Sequence, residues 1–202
     1  MKGNLTEALM WYKKSWKSQN IWTQFHHLCY WEMLWVNSLR LDWREAILYA
    51  SYLVENSKWS RTIYSYQKAC LMCHLDPKQL TTSEQRTIEN LLHEVPQYKQ
   101  RIAGKSLPME KFACKKAERY FTQSRHLVAP ALELMYVWNL FKILGKHFQL
   151  ADGVFKIIEK NMQDLDGKGD VMRKYESDNR ALLLLLKGAC LRQMKSPLQA
   201  LK

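Results

Sequence analysis

Glycine and proline are scarce in this chain, seven and five among 202 residues. That leaves little room for long loops or low-complexity linkers, since these two residues supply most turn conformations. Strand signals are missing as well: no stretch reads as a β-hairpin or an alternating strand, so the expected fold is all-α. Acidic residues are outnumbered, with 19 Asp and Glu against 31 Lys and Arg and a net charge of +12. Long uninterrupted apolar runs are absent too. The longest mostly apolar stretch, Leu127 to Leu144, carries Glu133 and Lys142 and predicts one buried helix rather than a membrane span.

Cysteine is sparse and odd in number, at 29, 70, 73, 114 and 190. This fits reduced thiols in a cytosolic or nuclear compartment rather than a disulfide framework. The first residues lead straight into a capped amphipathic helix without a charged and then apolar leader, so no secretory signal is expected. Catalytic signatures are missing: there is no G-x-S-x-G, no G-x-x-x-x-G-K-S/T and no G-x-G-x-x-G. Gly104-Lys105-Ser106 has the tail of a phosphate loop, but Lys99 stands where its first Gly belongs. An enzyme is not expected.

What the chain does contain is a phrase written three times: a capping residue, two variable residues, Glu or Gln, then Ala and an aliphatic. It reads Asn4-Leu-Thr-Glu7-Ala8-Leu9, Asp42-Trp-Arg-Glu45-Ala46-Ile47 and Ser196-Pro-Leu-Gln199-Ala200-Leu201. The cap side chain accepts from a free N–H of the starting helix, and the Glu or Gln reaches back to the cap's own N–H. The Ala that follows lets a neighbouring helix approach. Such a recurring start predicts stacked helical pairs, an architecture that binds partners. The phrases lie 38 and then 154 residues apart, the second gap being near four times the first with the phrase missing between. The spacing predicts an interrupted array: aromatic-rich repeat helices over 1–75, a helical insertion with a basic segment over 76–126, and further repeat helices over 127–202, the last repeat truncated. Seven of the eight Trp precede residue 60, which predicts a bulky aromatic core in the first part.

The phrase resembles the start of the second helix of a tetratricopeptide repeat, where a small residue is followed one turn later by an aromatic and then another small residue. Ala8, Tyr12 and Ser15 match; Ala46, Ala50 and Leu53 match in part. Leu184, Gly188 and Leu191 supply the large–Gly–large pattern of a first helix ahead of Ala200. A narrower resemblance lies in Arg101-Ile-Ala-Gly-Lys-Ser-Leu-Pro-Met-Glu-Lys-Phe112, Lys115-Lys-Ala-Glu-Arg-Tyr120 and Val128-Ala-Pro-Ala-Leu-Glu-Leu-Met-Tyr-Val-Trp-Asn139, which are similar to the tetratricopeptide repeat protein 39 family. Trp59-Ser60 with Tyr66 and Lys68-Ala69 is similar to another stretch of it. The resemblance implies a tetratricopeptide-like α-α superhelix and a non-enzymatic adaptor or scaffold, with no catalytic residue, cofactor or metal. Family members are longer, so the chain reads as an interior slice of an array with apolar faces uncovered at both ends.

In repeats of this kind first helices line a concave groove, and here Leu182, Leu185, Ala189 and Arg192 would face it. These residues lack a Lys/Asn clamp for a C-terminal carboxylate. The expected ligand is therefore a protein partner, an apolar or amphipathic helix or an acidic segment, rather than a small-molecule substrate. A rival reading starts from Lys99–His126, which holds eight Lys or Arg against two Glu. Lys111, Lys115 and Arg119 recur at i, i+4 and i+8, with Lys116 and Arg125 beside them, a stripe suited to nucleic acid or anionic membrane. Few aromatics (Phe112, Tyr120, Phe121) accompany it, which weakens the nucleic-acid case.

Three further motifs are weighed and set aside. Cys70-Leu-Met-Cys73-His74 is a literal haem-attachment spacing, yet it continues an amphipathic helix and reads better as buried thiols. His26-His27-x-Cys29 lacks a second ligand pair, and adjacent side chains diverge by about 100° on a helix. Asp164, Asp166 and Asp170 lack the bidentate Glu that closes a calcium loop.

Overall fold

A computed structural model describes residues 3–57, 59–78, 80–166 and 174–194. Ten α-helices occupy them: α1 (Leu5–Lys17), α2 (Thr23–Leu39), α3 (Trp43–Asn56), α4 (Arg61–Met72), α5 (Thr82–Glu94), α6 (Pro108–Thr122), α7 (Pro130–Val137), α8 (Phe141–Leu144), α9 (Phe148–Asp166) and α10 (Glu176–Gln193). The fold is an all-α helical array.

The caps set the helix starts. Asn4 accepts from the Glu7 N–H (3.1 Å) and its own amide donates to the Glu7 carboxylate (3.0 Å). Asp42 accepts from the Glu45 N–H at 3.3 Å. Thr81 and Glu84 form a complete reciprocal box opening α5. There the Thr81 N–H and the Arg44 side chain hold the Glu84 carboxyl down at about 2. The third phrase, with Ala200, lies outside the described residues.

Between α2 and α3 the chain reverses in three residues, with Leu41 at a φ of 60°. Ala46 and Ala50 are fully covered on α3, the small face against which α2 closes. Ala8 and Tyr12 are half-buried on α1, and the Tyr12 hydroxyl donates to Glu32 at 3.1 Å. The second half of α2 is buried all round, from Met33 through Leu39. Its polar members Asn37 and Ser38 donate to the carbonyls of Met33 and Leu34, so burial strands no donor there.

Glu110, fully buried on α6, accepts from Ser60 Oγ and from the Gln100 N–H, each at 2.7 Å. One carboxylate thus ties α6 to the start of α4 and to the segment before α6. A single apolar cluster joins residues from all ten helices' neighbourhoods, from Leu5 to Cys190.

Two expectations need correction. Residues 101–106 form a two-stranded antiparallel ribbon, Arg101 opposite Ser106, where a linker and no hairpin were expected. Ala103 and Gly104 both have positive φ (49° and 75°), the two-residue turn whose twist suits paired strands. The stretch over 130–144 is two helices rather than one. Asn139 turns left-handed (φ 58°) and the Leu140 N–H bonds the Met135 carbonyl at 2.8 Å, a helix stop in which Asn takes the position usually given to Gly.

Candidate interaction surfaces

Helix α10 packs on α7, α8 and α9 through Asn179, Leu183, Leu186, Cys190 and Leu191. The opposite side stays open: Leu184 is 51% exposed and Leu185 49%. Leu185, Gly188, Ala189 and Arg192 line a shallow depression of about 250 Å³ with Leu184 and with Tyr136 of α7. Three of the four groove residues expected from the sequence therefore share one surface. Leu182 does not line it and packs against the core. Leu191 is buried and Gly188 half-buried, whereas Leu184, the first large residue of that pattern, faces out. A run of five leucines gives no periodic contrast, so the sequence could not fix which of them turn inward.

A deeper concavity, about 700 Å³, lies between α2, the α3–α4 connection and the end of α7. Its apolar walls are Leu28, Trp31, Trp59, Tyr64 and Trp138. Trp31 stands at the centre, with ring planes at 77° to Trp59, 69° to Tyr64 and 81° to Trp138 and centroids 5.1 to 6.4 Å away. Edge-to-face contact of this kind is the favoured packing of aromatic rings. Thr23, Gln24, His27, Asn56 and Ser57 complete the lining. Burial and the neighbouring His26 push the His27 imidazole below its usual range, which favours its neutral form. The aromatic clustering was legible in the sequence, but as core: only Trp138, 79 residues beyond Trp59, closes the box, and nothing local announces that contact.

Over residues 1–194 the chain matches the family model described as Iml2/Tetratricopeptide repeat protein 39. The chain belongs to this family. It is 34% identical over 204 residues to Tetratricopeptide repeat protein ttc-39B of Caenorhabditis elegans, a match covering 99% of this chain and 33% of that protein. The chain thus spans about a third of the length of the curated relative it matches. No solved structure matches the chain.

In this member of the family three of the five stripe residues are paired within the chain. Lys116 pairs with the buried Glu133 at 2.6 Å, and Arg125 with Glu89 at 3.0 Å. Arg119 donates to Gln123 and Asn179 (2.8 Å each), pairs with Asp178 at 3.3 Å and covers the Tyr175 ring. Lys111 and Lys115 are exposed and keep no such partner among the described residues. The carboxylates that neutralise the stripe come from α5, α7 and α10, distant in sequence and invisible to local charge counting.

The Cys-x-x-Cys-His motif is structural. Cys70 is fully buried, and burial pushes the Cys73 thiol up to about 12, far from a reactive thiolate. His74 stacks on Trp43 with centroids 4.7 Å apart, and its Nε2 accepts the Ala131 N–H at 3.2 Å. It thereby caps α7, whose preceding residue Ala129 offers no side-chain acceptor. His26 Nε2 lies 2.7 Å from the Gln19 carbonyl, and no metal-ligand cluster of three or more occurs among the described residues. Most of the Asp164–Tyr175 loop lies outside the described residues. No helix among the described residues is long and apolar enough to cross a membrane.

Proposed function

We propose that the chain is a non-enzymatic protein-binding scaffold, and that the outward face of α10 receives an apolar or amphipathic helix. The observation that supports this reading is the apolar strip Ala181, Leu184, Leu185, Gly188 and Ala189, left open beside Tyr136 and ending at Arg192. From Ala181 to Ala189 it runs about 12 Å along the axis, two helical turns. Gly188 and Ala189 lie together at its C-terminal end, where a partner backbone would approach most closely. Glu176 and Arg180 flank the strip at its other end and give a partner helix polar contacts to set its register. Family membership supports a protein partner, since stacked helical repeats present long surfaces rather than enclosed reaction centres.

We further read residues 76–126 as an insertion, with α5 and α6 covering α4 rather than continuing the repeat. Buried, unreactive thiols support a reducing cytoplasmic setting. The rival basic-surface reading is the weaker one, because Lys116, Arg119 and Arg125 are already paired with Glu133, Asp178 and Glu89.

Affinity capture with the full chain tests the groove, comparing the native sequence with Leu185→Arg and Arg192→Glu. Both positions are exposed, so circular dichroism and melting should be unchanged while partner recovery falls severalfold. The same binding should respond weakly to salt, as apolar docking does and phosphate contact does not. Unchanged recovery with both variants removes α10 as the docking face.

A further inference from the structure

The aromatic cleft differs from the α10 strip in depth, volume and chemistry, and the helix-binding reading leaves it unused. Its 700 Å³ is more than twice the 250 Å³ depression on α10 and lies within the range of small-molecule sites, roughly 300–1,000 Å³. That volume is too large for one anchoring side chain. Three ring planes set nearly perpendicular to Trp31 make a box rather than a flat patch. At these contact distances the rings pack into one rigid wall, and the cleft opens beside them.

The lining also lacks any formally charged side chain among the described residues. Every polar group on it is a neutral hydroxyl, carboxamide or imidazole. Aromatic faces do attract cations. Here, however, no lining carboxylate assists, and the chain carries a net charge of +12 that repels them. An anion meets the reverse problem, since no cationic side chain among the described lining residues answers it.

We propose that the cleft walled by Leu28, Trp31, Trp59, Tyr64 and Trp138 is a binding site for a neutral, largely apolar small molecule. Burying such a ligand against the rings is driven by apolar surface leaving water, and the polar rim at Thr23, Gln24 and Asn56 orients it. The site is independent of the α10 strip, which shares none of its lining residues.

The test is a titration of the full chain with N-phenyl-1-naphthylamine, a neutral apolar fluorophore, read as energy transfer from tryptophan. Saturable binding at one site per chain is expected. Trp59 is 55% exposed and Leu28 62%, so Trp59→Ala and Leu28→Glu should leave circular dichroism unchanged. Each should raise the probe Kd about tenfold or more. Leu185→Arg, on the other surface, should leave the Kd unaltered. Non-saturable uptake, or equal affinity in native chain, Trp59→Ala and Leu28→Glu, overturns the site. Displacement of the probe by tetramethylammonium at comparable concentration overturns the neutral class, since it would make the box a cation cage.

Discussion

Helix α2 and helix α10 are both rich in apolar residues, yet the array treats them differently. Neighbours α1, α3 and α7 surround the second half of α2, and Met33, Leu34, Val36 and Leu39 have no exposed surface. Among the described residues α10 packs on α7, α8 and α9, and two of its five consecutive leucines stay half exposed. Apolar content thus does not fix burial; the placement of neighbouring helices does. The residue types add a second contrast. Rings in the first region cannot all be fully covered, so they leave a deep box, while the leucines of the second leave a shallow strip.

The sharpest way to break this contrast is to truncate one leucine in each region. Leu34→Ala should cost about 3 kcal/mol in urea denaturation, and Leu185→Ala under about 0.5 kcal/mol. Equal losses would mean that α10 is as enclosed as α2. Glu110→Ala should follow at about 2 kcal/mol, because it leaves the buried Ser60 Oγ without its acceptor and unties the Gln100 N–H. Full stability in that variant would show that water replaces the carboxylate.

The next effect is on pH. Burial holds the His74 imidazole at about 4 against 6.5 for the free group. Between those values the unfolded chain binds the proton more readily, so stability present above pH 6.5 is lost as pH falls toward 4. The stability difference between the native chain and His74→Gln should therefore be larger at pH 7 than at pH 5. A pH-independent difference would show that His74 does not titrate in this way. Smallest among these is the cap. Thr81→Ala should cost about 1 kcal/mol, and Asn4→Ala, another exposed cap, should cost no more.

The starts of α1 and α3 were legible because capping is local. Asn4 and Asp42 each meet an N–H three residues on, a contact sequence spacing can specify. The stop at Asn139 was missed because Asn is not Gly and the apolar run continues past it. The ribbon at 101–106 was missed because two-residue strands carry no alternation, although Ala103-Gly104 carried a turn signal. Of the candidate surfaces, Leu185, Ala189 and Arg192 were expected from the repeat resemblance, and Tyr136 and Leu184 were not.

The sequence by itself determined the all-α class, the family, the capped helix starts and the clustering of aromatic residues in the first third. All of these rest on interactions within a turn or two, or on patterns shared along the whole chain. Only the tertiary structure decided which leucines of α10 face out, that Glu89, Glu133 and Asp178 would engage the basic stripe, and that Trp138 would close a box around Trp31. Those outcomes depend on which side chains meet across tens of residues, and packing in three dimensions, rather than spacing along the chain, sets those meetings.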